Sequence, residues 1–199
     1  MLRCTLLGVG AMASPRYRPA GLLVAAGRWR IMLDGGATAE PGGRTDAWLV
    51  TDAASELRTE IRRAASARGL VPAVEAFDRR GLSIEPWPVV HTSHPTFGYL
   101  VTDGRRRVGW APEFLVFPAW ATGVDLLFAE AASWARPIRF AAGAGGHAPV
   151  LETSRLAREA GVRRLVFAHI GRPTIRALDD GLRPAFGEIG VEGRTYTVR

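Results

Sequence analysis

The stretch VLETSRLAREAGVRRLVFAHI, Val150 to Ile170, decides the architecture. A helix is expected from about Val150 to Ala160. An apolar run from Arg164 to Ala168 then reads as a buried strand that delivers His169 at its end. Just upstream, a strand through Phe128 leads into the glycine-rich segment Ala142-Gly143-Ala144-Gly145-Gly146-His147. Strand, loop, helix and strand in this order form the unit of a layered α/β protein.

Working outward, the first third reads mainly as strands. Leu2 to Leu7, Gly21 to Ala26, Arg30 to Leu33 and Ala47 to Val50 are separated by Gly and Pro punctuation. A helix follows, with Ser55 as N-cap, an apolar stripe of Leu57, Ile61, Ala64 and Ala65, and Gly69 as its stop. Further strands are expected over Val71 to Ala76 and Leu82 to Trp87. Thr96 to Val101 and Arg105 to Trp110 flank Asp103-Gly104, a strong hairpin signal. A short helix and a terminal hairpin complete the chain. The expectation is one domain over residues 1–199, with neither repeats nor a linker.

Composition narrows the class of protein. An apolar content of 47% over 199 residues builds a packed core, and the lone Cys4 forms no internal bridge. A reducing, cytoplasmic setting is expected. Arg3 and Ala11-Met12-Ala13 imitate a signal peptide, but Gly8 and Gly10 interrupt the apolar segment, and no stretch is long and apolar enough to span a membrane. The chain has no lysine, so all 26 basic residues are arginine, and they outnumber the 19 acids. Coding bias scatters such arginines, whereas a nucleic-acid binder gathers them on one face.

Gly8-Val9-Gly10 after a strand imitates a dinucleotide fingerprint, with Asp34 as the distant acid. Pro15 and Pro19 fall where the required helix would run, so the segment reads as a glycine turn. A P-loop is excluded by the missing lysine. The histidines carry more information. His91, His94, His147 and His169 fall near strand ends or loops, which points to one shared site.

The order of segments resembles a known family. Leu6-Leu7-Gly8-Val9-Gly10, Ser14-Pro15-Arg16 and Ile31-Met32-Leu33-Asp34-Gly35-Gly36 are similar to the opening of metallo-β-lactamase-fold hydrolases, in particular the ribonuclease Z and cyclic phosphodiesterase branch. His91 with Thr96-Phe97-Gly98-Tyr99, Val108 to Glu113, Gly146-His147 and Leu165 to Ile170 extend the resemblance over nearly the whole chain. It implies an αββα sandwich of two mixed β-sheets flanked by helices. It also implies two divalent metals on an HxHxDH loop, activating water against a phosphodiester.

Here that loop is altered. The aligned positions read Asp52, Ala53, Ala54, Ser55, Glu56 and Leu57, and Leu57 has no donor. The resemblance leaves Asp52, Glu56, His91, Glu113 and His169 as metal ligands, with Glu113 bridging and catalytic, and His147 as the general acid. Such a carboxylate-rich set suits manganese, iron or zinc, as one ion, two or none. Asp52 can equally cap the helix, and Glu56 can favour its positive end. His94 is expected to be supporting or structural, while Arg16 and Arg18 are candidates for contact with an anionic substrate.

The implied function is metal-dependent hydrolysis of a small phosphodiester or related ester, such as a nucleotide or cyclic phosphate, by a protein not attached to a membrane. RNA is a weaker candidate substrate, and a homodimer is common in the family. The alternative is a non-catalytic protein of the same fold that binds a ligand or dimerises.

Overall fold

A computed structural model describes residues 1–198, apart from the side chain of Ala142. The strands are β1 (Leu2–Gly8), β2 (Gly21–Ala26), β3 (Trp29–Asp34), β4 (Ala47–Leu49), β5 (Phe77–Arg79), β6 (Leu82–Val89), β7 (Thr96–Thr102), β8 (Arg107–Ala111), β9 (Leu126–Ala131), β10 (Ile138–Arg139), β11 (Gly146–His147), β12 (Leu165–Ile170), β13 (Glu188–Ile189) and β14 (Thr195–Val198). The helices are α1 (Arg58–Ser66), α2 (Val150–Glu159) and α3 (Arg172–Asp179).

Two mixed sheets result. One runs β14-β1-β2-β3-β4, the other β13-β12-β9-β8-β7-β6-β5, and β10 pairs with β11 as a small ribbon. Side-chain alternation explains why β2 and β3 are nearly continuous apolar runs. Leu22, Val24, Ile31 and Leu33 enter the central core beside Tyr99, Val101, Trp110 and Phe128. Leu23 and Met32 point the other way, joining Trp48, Val50 and the α1 residues Ile61, Ala64 and Ala65. Both faces of this sheet are therefore dry at β2 and β3, while β1 and β14 keep an exposed outer face, and each buried Leu or Ile contributes about 1.5–3 kcal/mol. Cys4 lies in the central core, and burial pushes its thiol up to about 12, so it is chemically inert.

Several local expectations change. Residues 71–76 form no strand: Ala73 makes an isolated bridge to Leu49, and regular pairing begins only at Phe77. Ser55 is not the cap of α1; Leu57 occupies that position with no side-chain cap, and Ser55 contributes its carbonyl to the preceding turn. The terminal hairpin does not form. Instead β13 adds parallel to β12, while β14 crosses to the other sheet and pairs with β1. A hairpin pattern in sequence does not exclude two strands pairing with different neighbours. Among the described residues no helix is long and apolar enough to cross a membrane.

The chain direction gathers the chemistry at one edge. β8, β9 and β12 run parallel, and β6 is antiparallel to β7 as β7 is to β8, so β6, β8, β9 and β12 end on one side. β3 and β4 are parallel to each other and also end at the cavity. Ligand clefts in layered sheets form at such edges because loops from several strands converge there.

Candidate metal centre

A cavity of about 630 Å³ opens at this edge, lined among others by Asp52, Glu56, His91, Glu113, His147 and His169. All six residues expected at the site therefore reach one cleft, but they do not form one cluster. His91, Glu113, His147 and His169 converge on one side. Asp52 and Glu56 make no ion pair with these four among the described residues.

The converging side is organised by a residue that the sequence reading did not single out, Glu130, at the end of β9. It is fully buried. Its Oε2 accepts from His147 Nδ1 at 2.7 Å and from the Phe114 amide at 3.2 Å. Its Oε1 accepts from the Ala132 amide at 2.7 Å and lies 3.1 Å from His169 Nδ1. Four donors saturate the carboxylate, which is why it can be buried at all. Its pKa is lowered: burial acts to raise it, but the two imidazoles prevail. A charged residue inside the otherwise apolar LLFAEA of β9 was the signal that could have found it.

Glu130 fixes the outer nitrogens by holding the inner ones. With Nδ1 engaged, His169 presents Nε2 to the cavity, 2.9 Å from Glu113 Oε1. His91 is held separately, its Nδ1 3.0 Å from the Gly146 carbonyl, and its Nε2 lies 3.7 Å from the same Glu113 oxygen. This lock needs glycine: a Cβ at Gly145 would stand 2.0 Å from the His91 carbonyl oxygen, and one at Gly146 1.9 Å from that of Ile138. The glycine-rich segment is therefore a close-fitting brace for His91. The His147 ring lies 4.7 Å from that of His91 and 5.4 Å from that of His169.

His169 also carries backbone strain. Its φ is +57°, and the β12–β9 register slips between Phe167 and Ile170. The irregularity turns His169 off the strand's alternation towards the cavity, a device common beside active sites. Burial disfavours its charge, yet Glu113 and Glu130 together raise its pKa well above the ordinary value. Glu113 shifts down, since burial is outweighed by His169, His91 and His147. Two carboxylates thus flank a position that demands positive charge.

Opposite them, Asp52 is bound within the protein. Its Oδ1 accepts from the Ala54 amide at 2.7 Å, and its Oδ2 lies 2.9 Å from His94 Nε2. Glu56 is exposed at the rim. Leu57 packs with the Trp48 and Ile61 cluster as well as lining the cavity.

Asp34, at the left-handed φ of +51°, sits behind this loop. Its carboxylate accepts from the Thr51 amide at 2.7 Å and from Trp110 Nε1 at 2.7 Å, pinning the loop after β4 to β8. Burial pushes it up to about 6 against those hydrogen bonds. Arg16 and Arg18 do not reach the cleft: Arg16 forms a bidentate pair with Asp179 of α3, and the Arg18 amide donates to Glu192. Among the described residues Arg172, exposed on the first turn of α3, is the sole arginine lining the cavity.

Two stacked mixed sheets with helices outside and His and acidic side chains at the strand-end edge define a metallo-β-lactamase-type sandwich. The chain belongs to the β-lactamase superfamily: the family described as the Beta-lactamase superfamily domain matches residues 37–170. The fold is shared with a diphosphatase from the PhnP family (16% identity, covering 100% of this chain and 98% of that one, TM-score 0.77). Zn(II)-bound PqqB from Methylobacterium extorquens is also similar (14%, 98% and 100%, TM-score 0.72). So is human tRNase Z, short form (15%, 99% and 99%, TM-score 0.65). No curated protein matches.

Proposed function

We propose that this protein is a metal-dependent hydrolase of a small anionic ester, with a phosphodiester as the leading substrate class. The observation that carries this reading is the Glu130-anchored set, in which His91 and His169 turn their Nε2 atoms towards one oxygen of Glu113.

The donor set fits a divalent ion. Two imidazole nitrogens and a carboxylate suit manganese, iron or zinc, and in the ion's absence a proton on His169 supplies the positive charge that Glu113 and Glu130 demand. A bound ion would polarise the ester and lower the pKa of water. The zinc in PqqB, and the diphosphatase and tRNase Z activities named for the other two neighbours, favour this assignment by analogy of fold.

The chain's own residues supply the rest. His147, held by Glu130 at the cavity wall, is placed to give a proton to the leaving oxygen. Phe140 meets the His91 and His147 rings edge-on and lines the cavity beside them. Arg172 is the cation available to an anionic group entering the cleft. A volume of about 630 Å³ suits a nucleotide-sized molecule. The RNA reading has less support, because among the described residues Arg172 is the one arginine that lines the cleft.

A non-catalytic role draws on one observation, that Ala54 and Leu57 bring no donor to the cavity. The two readings separate by assay. Metal-loaded protein is expected to hydrolyse generic phosphodiesters such as bis-p-nitrophenyl phosphate, with His147→Ala slower by about 10²–10³-fold. No turnover with manganese, iron or zinc across a panel of phosphodiesters and carboxylic esters would favour the non-catalytic role.

A further inference from the structure

We infer that this protein holds one divalent ion, on His91 Nε2, His169 Nε2 and the Glu113 carboxylate, and that the Asp52–His94 pair takes the structural place of a second. The inference rests on the metal-dependent reading above and goes beyond it in stating how many ions bind and what replaces the missing one.

The two sides of the cavity differ in how many donors converge: two imidazoles on one carboxylate oxygen at Glu113, and a single imidazole on Asp52. On the Glu113 side, each histidine has its inner nitrogen occupied and its outer nitrogen directed at the same carboxylate oxygen. The nearby trio Glu130, His147 and His169, whose donor atoms lie within 4.8 Å of one another, is not the ion's place. Its carboxylate already accepts from two imidazoles and two main-chain amides, and a cation there would displace all of them.

On the Asp52 side no comparable set exists among the described residues. Ala54 has no donor atom, and Leu57 is turned into the apolar cluster under α1. Asp52 has both oxygens engaged, one by the Ala54 amide and one by His94. Glu56 alone remains, and a lone exposed carboxylate does not retain a divalent ion. The second-ion position implied by the family resemblance therefore does not fit this chain.

What stands there instead does a mechanical job. Asp52 follows β4 in one sheet, and His94 precedes β7 in the other, so their 2.9 Å contact ties the two sheets together beside the cavity. It works with two neighbouring links, the Phe97 amide to the Thr51 carbonyl at 2.9 Å and the Tyr99 hydroxyl to the Val50 carbonyl at 3.0 Å. An ion shared between loops of the two sheets would serve the same purpose. Here a carboxylate–imidazole pair replaces it.

Native mass spectrometry and elemental analysis test this on the full chain, loaded separately with manganese, iron(II) and zinc and then freed of excess metal. The expected result is one ion per chain in the unaltered protein, and one ion retained in Asp52→Ala and in His94→Ala. Loss of the ion is expected in His91→Ala and His169→Ala, with each variant checked for folding by circular dichroism. Two ions in the unaltered protein would overturn this inference and leave the metal-dependent reading standing. One ion that is lost in folded Asp52→Ala or His94→Ala would overturn the role given to the pair. No ion in any sample would overturn both the inference and the reading beneath it.

Discussion

The two walls of the cleft obey different rules. On the wall built from β8, β9, β11 and β12, a buried carboxylate spends all its acceptor capacity on orienting others. On the wall built from the loop after β4, the same edge of the sandwich is given to packing and to a carboxylate–imidazole contact. The contrast shows that one wall can be built on packing without loosening the other. The retained side draws its rigidity from Glu130 and the Gly145-Gly146 brace, neither of which depends on the altered loop.

The sharpest way to break this comparison is Glu130→Ala. It strands two imidazole N–H groups and two main-chain amides in a place without water. Stability in chemical denaturation is expected to fall by about 3–5 kcal/mol. The matching change on the other wall, Glu56→Ala, removes an exposed side chain and should stay within about 0.5 kcal/mol. Equal losses would mean that Glu130 does not organise its wall.

Asp34→Ala probes the strut behind the altered loop. It leaves the Thr51 amide and Trp110 Nε1 without their acceptor, so a loss of about 2–3 kcal/mol is expected in the same measurement. Calorimetry across pH then sharpens the electrostatic side. The pKa of His169 is raised in the fold, so its stabilising contribution is complete below its ordinary value of 6.5 and is lost as pH rises through the raised one. Asp34, at about 6, has largely finished titrating by neutral pH. The melting temperature of chelator-treated protein should therefore decline from about pH 7 to 9, and saturating metal should flatten the decline, because the ion takes the proton's place. Parallel curves with and without metal would remove His169 from the ion's ligands.

The smallest effect is expected at the mouth. Arg172→Ala should raise KM for an anionic substrate about tenfold with kcat nearly unchanged, since it removes a charged contact that does not depend on the transition state. A neutral ester of similar size should show no such change.

Much of this architecture was legible in the sequence, and the reasons differ by element. β2 and α2 match their expected bounds within a residue, because an apolar run between glycines and a helical stripe each leave one reading. The strand expected at residues 71–76 failed because an apolar run does not specify a partner, and β14 failed as a hairpin because sheet assignment is set by tertiary pairing. The histidines were legible as a group through their places at strand ends. Glu130 was not, although a lone charge in an apolar strand advertises a buried network. The Asp52–His94 contact joins residues on different sheets, and no local pattern encodes it.

The most direct test is a crystal structure of metal-loaded protein with anomalous diffraction recorded at the ion's absorption edge. One anomalous peak bonded to His91 Nε2, His169 Nε2 and Glu113, with Asp52 still on His94, is the predicted result. A peak at Asp52 and Glu56, or two peaks bridged by Glu113, would contradict it.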